Sequence, residues 1–236
     1  MRIRTFLFAA ALATTGSCSA CIHNRDDPFP VELGFTPLEP LDPTVVPPSP
    51  AGGDPYPQTI GPIVSGARGG HEWAHAVGFL KYSIEEVYAA LADPNASEIH
   101  VPSGGNCGTS PGTEPFPVSF TIHYSSPSGV IGIGDVHWDV AYRAGVSLGS
   151  EQTPQEIGLR YQKVWGVSQI GTMTGSLKAY PAPGQANVTQ VELEEWLDAP
   201  GCGTASGTLV DLFGDLAAVL DGSAPAQTCR LHASSC

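Results

Sequence analysis

Gly207-Thr-Leu-Val-Asp-Leu-Phe-Gly-Asp-Leu-Ala-Ala-Val-Leu-Asp221 is the stretch whose reading decides the fold. Leu209, Leu212, Phe213, Leu216, Val219 and Leu220 recur three and four apart, the spacing of one helical face. Ser206 or Thr208 can cap its start, and Asp221-Gly222 can stop it. A long helix is predicted near the end of the chain, with an apolar stripe that must be covered.

The cover comes from segments upstream that alternate apolar and polar residues. Val118-Ser-Phe-Thr-Ile-His-Tyr124 and Val136-His-Trp-Asp-Val-Ala-Tyr142 do so cleanly. Ile157 to Trp165, Ile170 to Tyr180 and Asn187 to Leu197 are further strands. Short turns such as Ser126-Pro-Ser-Gly129 and Pro181-Ala-Pro-Gly184 separate some of them. With a first strand around Trp73, His75, Val77 and Phe79, that makes at least six, on links short enough for antiparallel pairing. Between the first strand and the rest, Ser83 and Glu86 form a capping box, Ile84, Val87, Tyr88 and Leu91 an apolar stripe, and Pro94 a stop. Residues 95 to 116 read as a polar loop.

The order is strand, short helix, five strands, long helix. Ser83 to Pro94 resembles the "S-x-E-x-V-aromatic-x-A-L-x-D-P" segment of the START-like superfamily, the polyketide cyclase/dehydrase and lipid-transport group. Thr189 to Ala199 is similar to that group's closing "T-x-V-E-L-x-E-x-L-D-A" pattern. The resemblance spans residues 67–222. It implies an α+β helix-grip fold, an antiparallel sheet of at least six strands wrapped around a long C-terminal helix.

The resemblance also implies an interior cavity for a hydrophobic small molecule or lipid. Alternation places Phe120, Tyr124, Trp138, Tyr142, Tyr161, Trp165, Met173 and Leu177 on its sheet wall. Leu209, Leu212, Phe213 and Leu216 form its helical wall. The same residues would serve a filled core, so a protein-binding surface module stays open beside the ligand-binding reading. A cyclase/dehydrase-type enzyme is the third alternative. It needs polar groups inside, and few inward candidates stand out beyond the tyrosines and His75.

No catalytic set, cofactor or metal is assigned. His71-Glu72-Trp73-Ala74-His75 matches the HExxH zinc-protease pattern, and Gly78 extends it. Lys81 stands where a third ligand belongs, and the stretch alternates as a strand does. His123, His137 and Asp139 read as exposed polar residues on strand faces, and no Ser-His-Asp set is assembled from them. Gly132-Ile-Gly134 lacks the third glycine and the helix of a nucleotide loop.

The chain has 236 residues and a formal charge of −13, with only 10 Lys plus Arg. Such a chain repels phosphate backbones, which argues against a nucleic-acid partner. Arg2 and Arg4 precede a short apolar run, Thr5 to Ala13, too short to span a bilayer. Small residues before Cys18 and Cys21 resemble the lipobox of bacterial lipoproteins. That resemblance implies a signal peptide over 1–20 and lipidation of Cys18, with Cys21 as the alternative. Neither is followed by Asp, the residue that favours inner-membrane retention. A bacterial cell-envelope location follows, lipid-anchored at the outer membrane.

Residues 21–66 hold half of the 22 prolines and no periodicity. They read as a disordered, extended and solvated tether. The six cysteines of an exported chain point to disulfides. Three pairings of the last four are open, and Cys107–Cys202 with Cys229–Cys236 is the one expected here. Residues 223–236 form a cysteine-containing tail outside the resemblance. The oligomeric state is left open.

Overall fold

Residues 23–97, 106–127, 135–199 and 204–223 are described by the structure, a computed structural model. The alternating segments pair with their chain neighbours. β1 (Asn24–Asp26), β2 (Thr59–Ile60), β3 (Val64–Arg68) and β4 (His71–Leu80) precede helix α1 (Ile84–Ala90). β5 (Asn106–Pro111), β6 (Val118–Pro127), β7 (Asp135–Ser150), β8 (Thr153–Val167), β9 (Thr172–Pro181) and β10 (Thr189–Asp198) follow, and then helix α2 (Ala205–Leu220). The sheet runs β2-β4-β10-β9-β8-β7-β6-β5, with β1 beside β8 and β3 beside β4. Every pairing is antiparallel. An antiparallel sheet thus grips a long C-terminal helix, the α+β helix-grip arrangement.

The α2 stripe meets the sheet as its spacing requires. Leu209, Leu212, Phe213 and Leu216 are buried. A Cβ on Gly78 would sit 2.6 Å from the Phe213 ring, so glycine in β4 lets the helix lie close. Glu72, from the same strand, accepts the Ala205 amide at 3.2 Å and so meets the positive end of the helix. The α2 cap differs from the expected Ser206 or Thr208. The Thr204 hydroxyl accepts the Gly207 amide at 3.1 Å, so the helix begins earlier. At α1 the capping box forms as read, with Ser83 and Glu86 exchanging bonds of 2.8 and 3.3 Å.

Three expectations are corrected. Part of the polar loop 95–116 is edge strand β5, whose Asn-Cys-Gly-Thr-Ser-Pro sequence has little intrinsic strand preference. β6 recruits it through ladder bonds. Trp165 leaves the interior wall: Asp139 pairs with Trp165 while Val140 pairs with Lys163, so Val164 is a bulge. One extra residue flips the side chains beyond it to the other face.

The third correction is the largest. The expected tether is not solvated: residues 23–58 form a strap laid across the outer face of the sheet, and residues 59–66 run into the sheet as β2 and the start of β3. β1 pairs with the end of β8. Phe29 stacks on the Arg143 guanidinium at 3.5 Å. Phe35 fills a slot over Gly145 and Gly158, where any Cβ would collide with it. The Leu38 and Glu39 amides bond Glu194 at 2.8 and 3.1 Å, and Tyr56 packs edge-on against Phe79. Proline removes donors; of the amides that remain, those of Asp27, Leu38, Glu39 and Asp42 find acceptors on the sheet, and others close turns within the strap.

Cys107 is buried and disulfide-bonded. Cys18, Cys21, Cys202, Cys229 and Cys236, the leader and nearly all of the tail lie outside the described residues.

Candidate functional site

Alternation along three strands builds one interior wall. Phe120 and Tyr124 of β6, Trp138 and Tyr142 of β7, and Tyr161 of β8 are all at most 6 % exposed. Directly paired positions share a face, so Phe120 meets Tyr142, Tyr142 meets Tyr161, and Tyr124 meets Trp138. Their rings stack with centroids 5.0, 5.3 and 5.1 Å apart. Met173 and Leu177 of β9 continue the wall, and the α2 leucines close it. Of the twelve residues read as interior, the sheet thus brings eleven into one buried cluster, and Trp165 departs.

The wall ends on a residue that the sequence reading passed over. In β10 the inward parity runs Val191, Leu193, Glu195, Leu197, and Glu195 is wholly buried. The Tyr161 hydroxyl donates to its Oε2. Its Oε1 has no hydrogen-bond partner among the described residues. Small residues flank it in the sheet: Ala74 on β4 and Gly175 on β9. A Cβ at Gly175 would collide with both Tyr161 and Glu195, so the glycine makes room for the pair. Burial pushes the Glu195 carboxyl well above the usual carboxylate range, and the Tyr161 bond offsets this only in part. The Tyr161 and Tyr142 phenols are likewise raised by burial. Trp138 Nε1 is a second buried polar atom without a partner among the described residues.

A cleft of about 310 Å³ opens where the 3-10 turn Pro94–Ser97 meets β5 and β6. Pro94, Thr109, Pro111 and Val118 line it, and Phe120 reaches it. The first ring of the stack therefore borders a cleft.

His75 is not an interior group. It lies on the outer face of β4, 3 % exposed, under the strap. Its Nδ1 accepts the Asp42 amide at 2.9 Å, so the ring proton sits on Nε2 and is donated to Glu39 at 2.9 Å. Trp196 donates to the same Glu39 carboxylate at 3.0 Å. The HEWAH stretch is strand, and residues four apart in a strand are separated by about 13 Å. His71 and His75 cannot share one metal ion in this arrangement.

The structure does assemble a Ser-His-Asp set on the outer face, which the sequence reading did not. Ser110 Oγ is 2.8 Å from His123 Nε2, and His123 Nδ1 is 2.9 Å from Asp139. The bond to Asp139 raises the His123 pKa. His123 is 45 % exposed, so both bonds compete with water. Ser110 stands on the edge strand β5, His123 on β6 and Asp139 on β7, so three adjacent strands contribute one residue each. His137 pairs with Ser125, one step further along, and does not join the set.

No family model matches the chain, and no curated protein matches it. Solved structures do. The Zhui aromatase/cyclase from Streptomyces sp. R1128 is 13 % identical, with a TM-score of 0.37, over 64 % of this chain and 88 % of that one. A protein from Chromobacterium violaceum is 15 % identical, TM-score 0.41, over 63 % and 96 %. The lipid transfer and protein localization domain of human StarD13 is 10 % identical, TM-score 0.39, over 70 % and 90 %. At these values no ligand or reaction carries over to this chain.

Proposed function

We propose that this domain holds a small, mostly apolar molecule, a hydrophobic metabolite or a lipid, between α2 and the aromatic wall of β6–β8. The observation that carries it is the wall itself: a row of stacked rings whose first member, Phe120, borders a cleft, with Trp138 Nε1 and Glu195 Oε1 buried and without hydrogen-bond partners among the described residues. A core that is merely filled buries apolar groups and satisfies its polar ones. Native mass spectrometry of the full-length protein from its own host tests this. A co-purifying small-molecule mass supports the reading. An empty protein that also takes up no added aromatic probe overturns it.

The domain's place in the cell envelope is part of the same proposal. Lipidation at Cys18, or at Cys21, would leave six or three residues before Asn24 of β1. Their full reach is roughly 20 or 10 Å. An anchor there holds the domain against the bilayer, because the strap has consumed the rest of the expected tether. Metabolic labelling with a clickable fatty acid, with Cys18→Ala and Cys21→Ala variants, identifies the anchored residue.

A further inference from the structure

We infer that Glu195 is the anchoring group of the interior site and binds a single carbonyl oxygen on an otherwise apolar ligand. The inference rests on the proposed function and names the chemistry that the site would select.

The argument is one of proton placement. Glu195 has no exposed surface, and burial is the dominant influence on its carboxyl, with Tyr161 the one other group that shifts it. An ionised carboxylate in that position would cost several kcal/mol and would titrate to neutrality instead. The neutral acid has one O–H. Tyr161 already donates to Oε2, which leaves that oxygen as an acceptor. The acid proton therefore sits on Oε1, the oxygen without a partner among the described residues. A buried O–H with no acceptor is a donor waiting for one. A carbonyl oxygen accepts; a hydrocarbon does not.

The surroundings fit an occupant of that kind. Gly175 gives up its side-chain space to the Tyr161 hydroxyl and the Glu195 carboxyl, and Ala74 is the small neighbour on the β4 side. Tyr142 stacks on Tyr161 and carries the apolar wall away toward Phe120. A flat, apolar molecule lying on these rings would present one end to Glu195. A core carboxyl kept for packing alone would be replaced to advantage by Leu or Met.

The test uses two probes of equal shape, 2-acetylnaphthalene and 2-isopropylnaphthalene, titrated into the full-length protein by calorimetry. The expected result is a roughly tenfold preference for the ketone, the scale of one net hydrogen bond. Glu195→Leu should abolish the preference while still binding both probes. Glu195→Gln, which can still donate, should keep part of it. Infrared spectroscopy provides a second readout if Glu195→Leu fails to fold. The protonated-carboxyl stretch lost in Glu195→Gln should shift in wild type on adding the ketone and stay put with the hydrocarbon. Equal binding of both probes by wild type, or an unmoved stretch, overturns the anchor and leaves the ligand-holding reading intact. No binding of either probe overturns both.

Discussion

Glu195 shows how far a single residue can be read from sequence. Its parity with Val191, Leu193 and Leu197 is a signal that the sequence reading did not use, because a carboxylate in an inward series reads as exposed. Burial holds its native pKa well above the ordinary carboxylate value of 4.5. The native state therefore keeps a proton that the unfolded chain releases, and stability falls as pH rises from about 4.5 toward the native value. The slope is at most one proton's worth, about 1.4 kcal/mol per pH unit. Glu195→Gln should flatten that slope in denaturant melts taken across pH 5–8, and an unchanged slope would show that Glu195 ionises freely. His123 runs the same way, over a window that starts at higher pH. Its pKa is raised above 6.5 by Asp139, so the bridge stabilises fully below that pH and is lost as pH climbs through the native value. Asp139→Asn should move the His123 titration back down in NMR spectra; an unmoved midpoint removes Asp139 as the cause. With His123 partly exposed, the effect on stability is small.

Elements were legible where one period dominates. The 3.6-residue stripe of α2 and the two-residue alternation of β4 and β6–β10 are local patterns, and they survived folding. Leu212→Asp should cost about 3–5 kcal/mol, because α2 would bury an unpaired carboxylate against the sheet. A melting temperature near wild type would mean that this face of α2 is not the gripped one. Boundaries and short elements were less legible. β5 is held by its neighbour more than by its own sequence. Trp165 misleads because a bulge at Val164 is a property of the pairing between β7 and β8, and alternation within one strand carries no sign of it.

At the scale of the whole molecule, the strap changes what the chain is. Ser176 and Glu194 hold the Leu38 amide, each at 2.8 Å, from 138 and 156 residues away in sequence. Arg143 is fully buried because Phe29, Pro30, Glu114 and Phe116 surround its guanidinium. Glu194 is itself raised in pKa by burial, although it accepts these strap amides. Removing residues 23–58 should therefore bare a charged and apolar face, lower the melting temperature by several degrees or more, and promote aggregation. A solvated tether would be dispensable, so unchanged melting of the truncated protein would reject the strap.

What the sequence by itself determined is the order of elements, the helix that is gripped, and the interior faces of the strands. Each is written in spacings of two to four residues, where local sterics and burial act on one element at a time. The tertiary structure alone decided the strap, the orientation of Trp165, the Ser110–His123–Asp139 contact and the isolation of Glu195. Each depends on which distant groups come together. A proline-rich segment reads as solvated until a sheet offers acceptors to its remaining amides, and a glutamate reads as exposed until neighbouring strands withhold water from it.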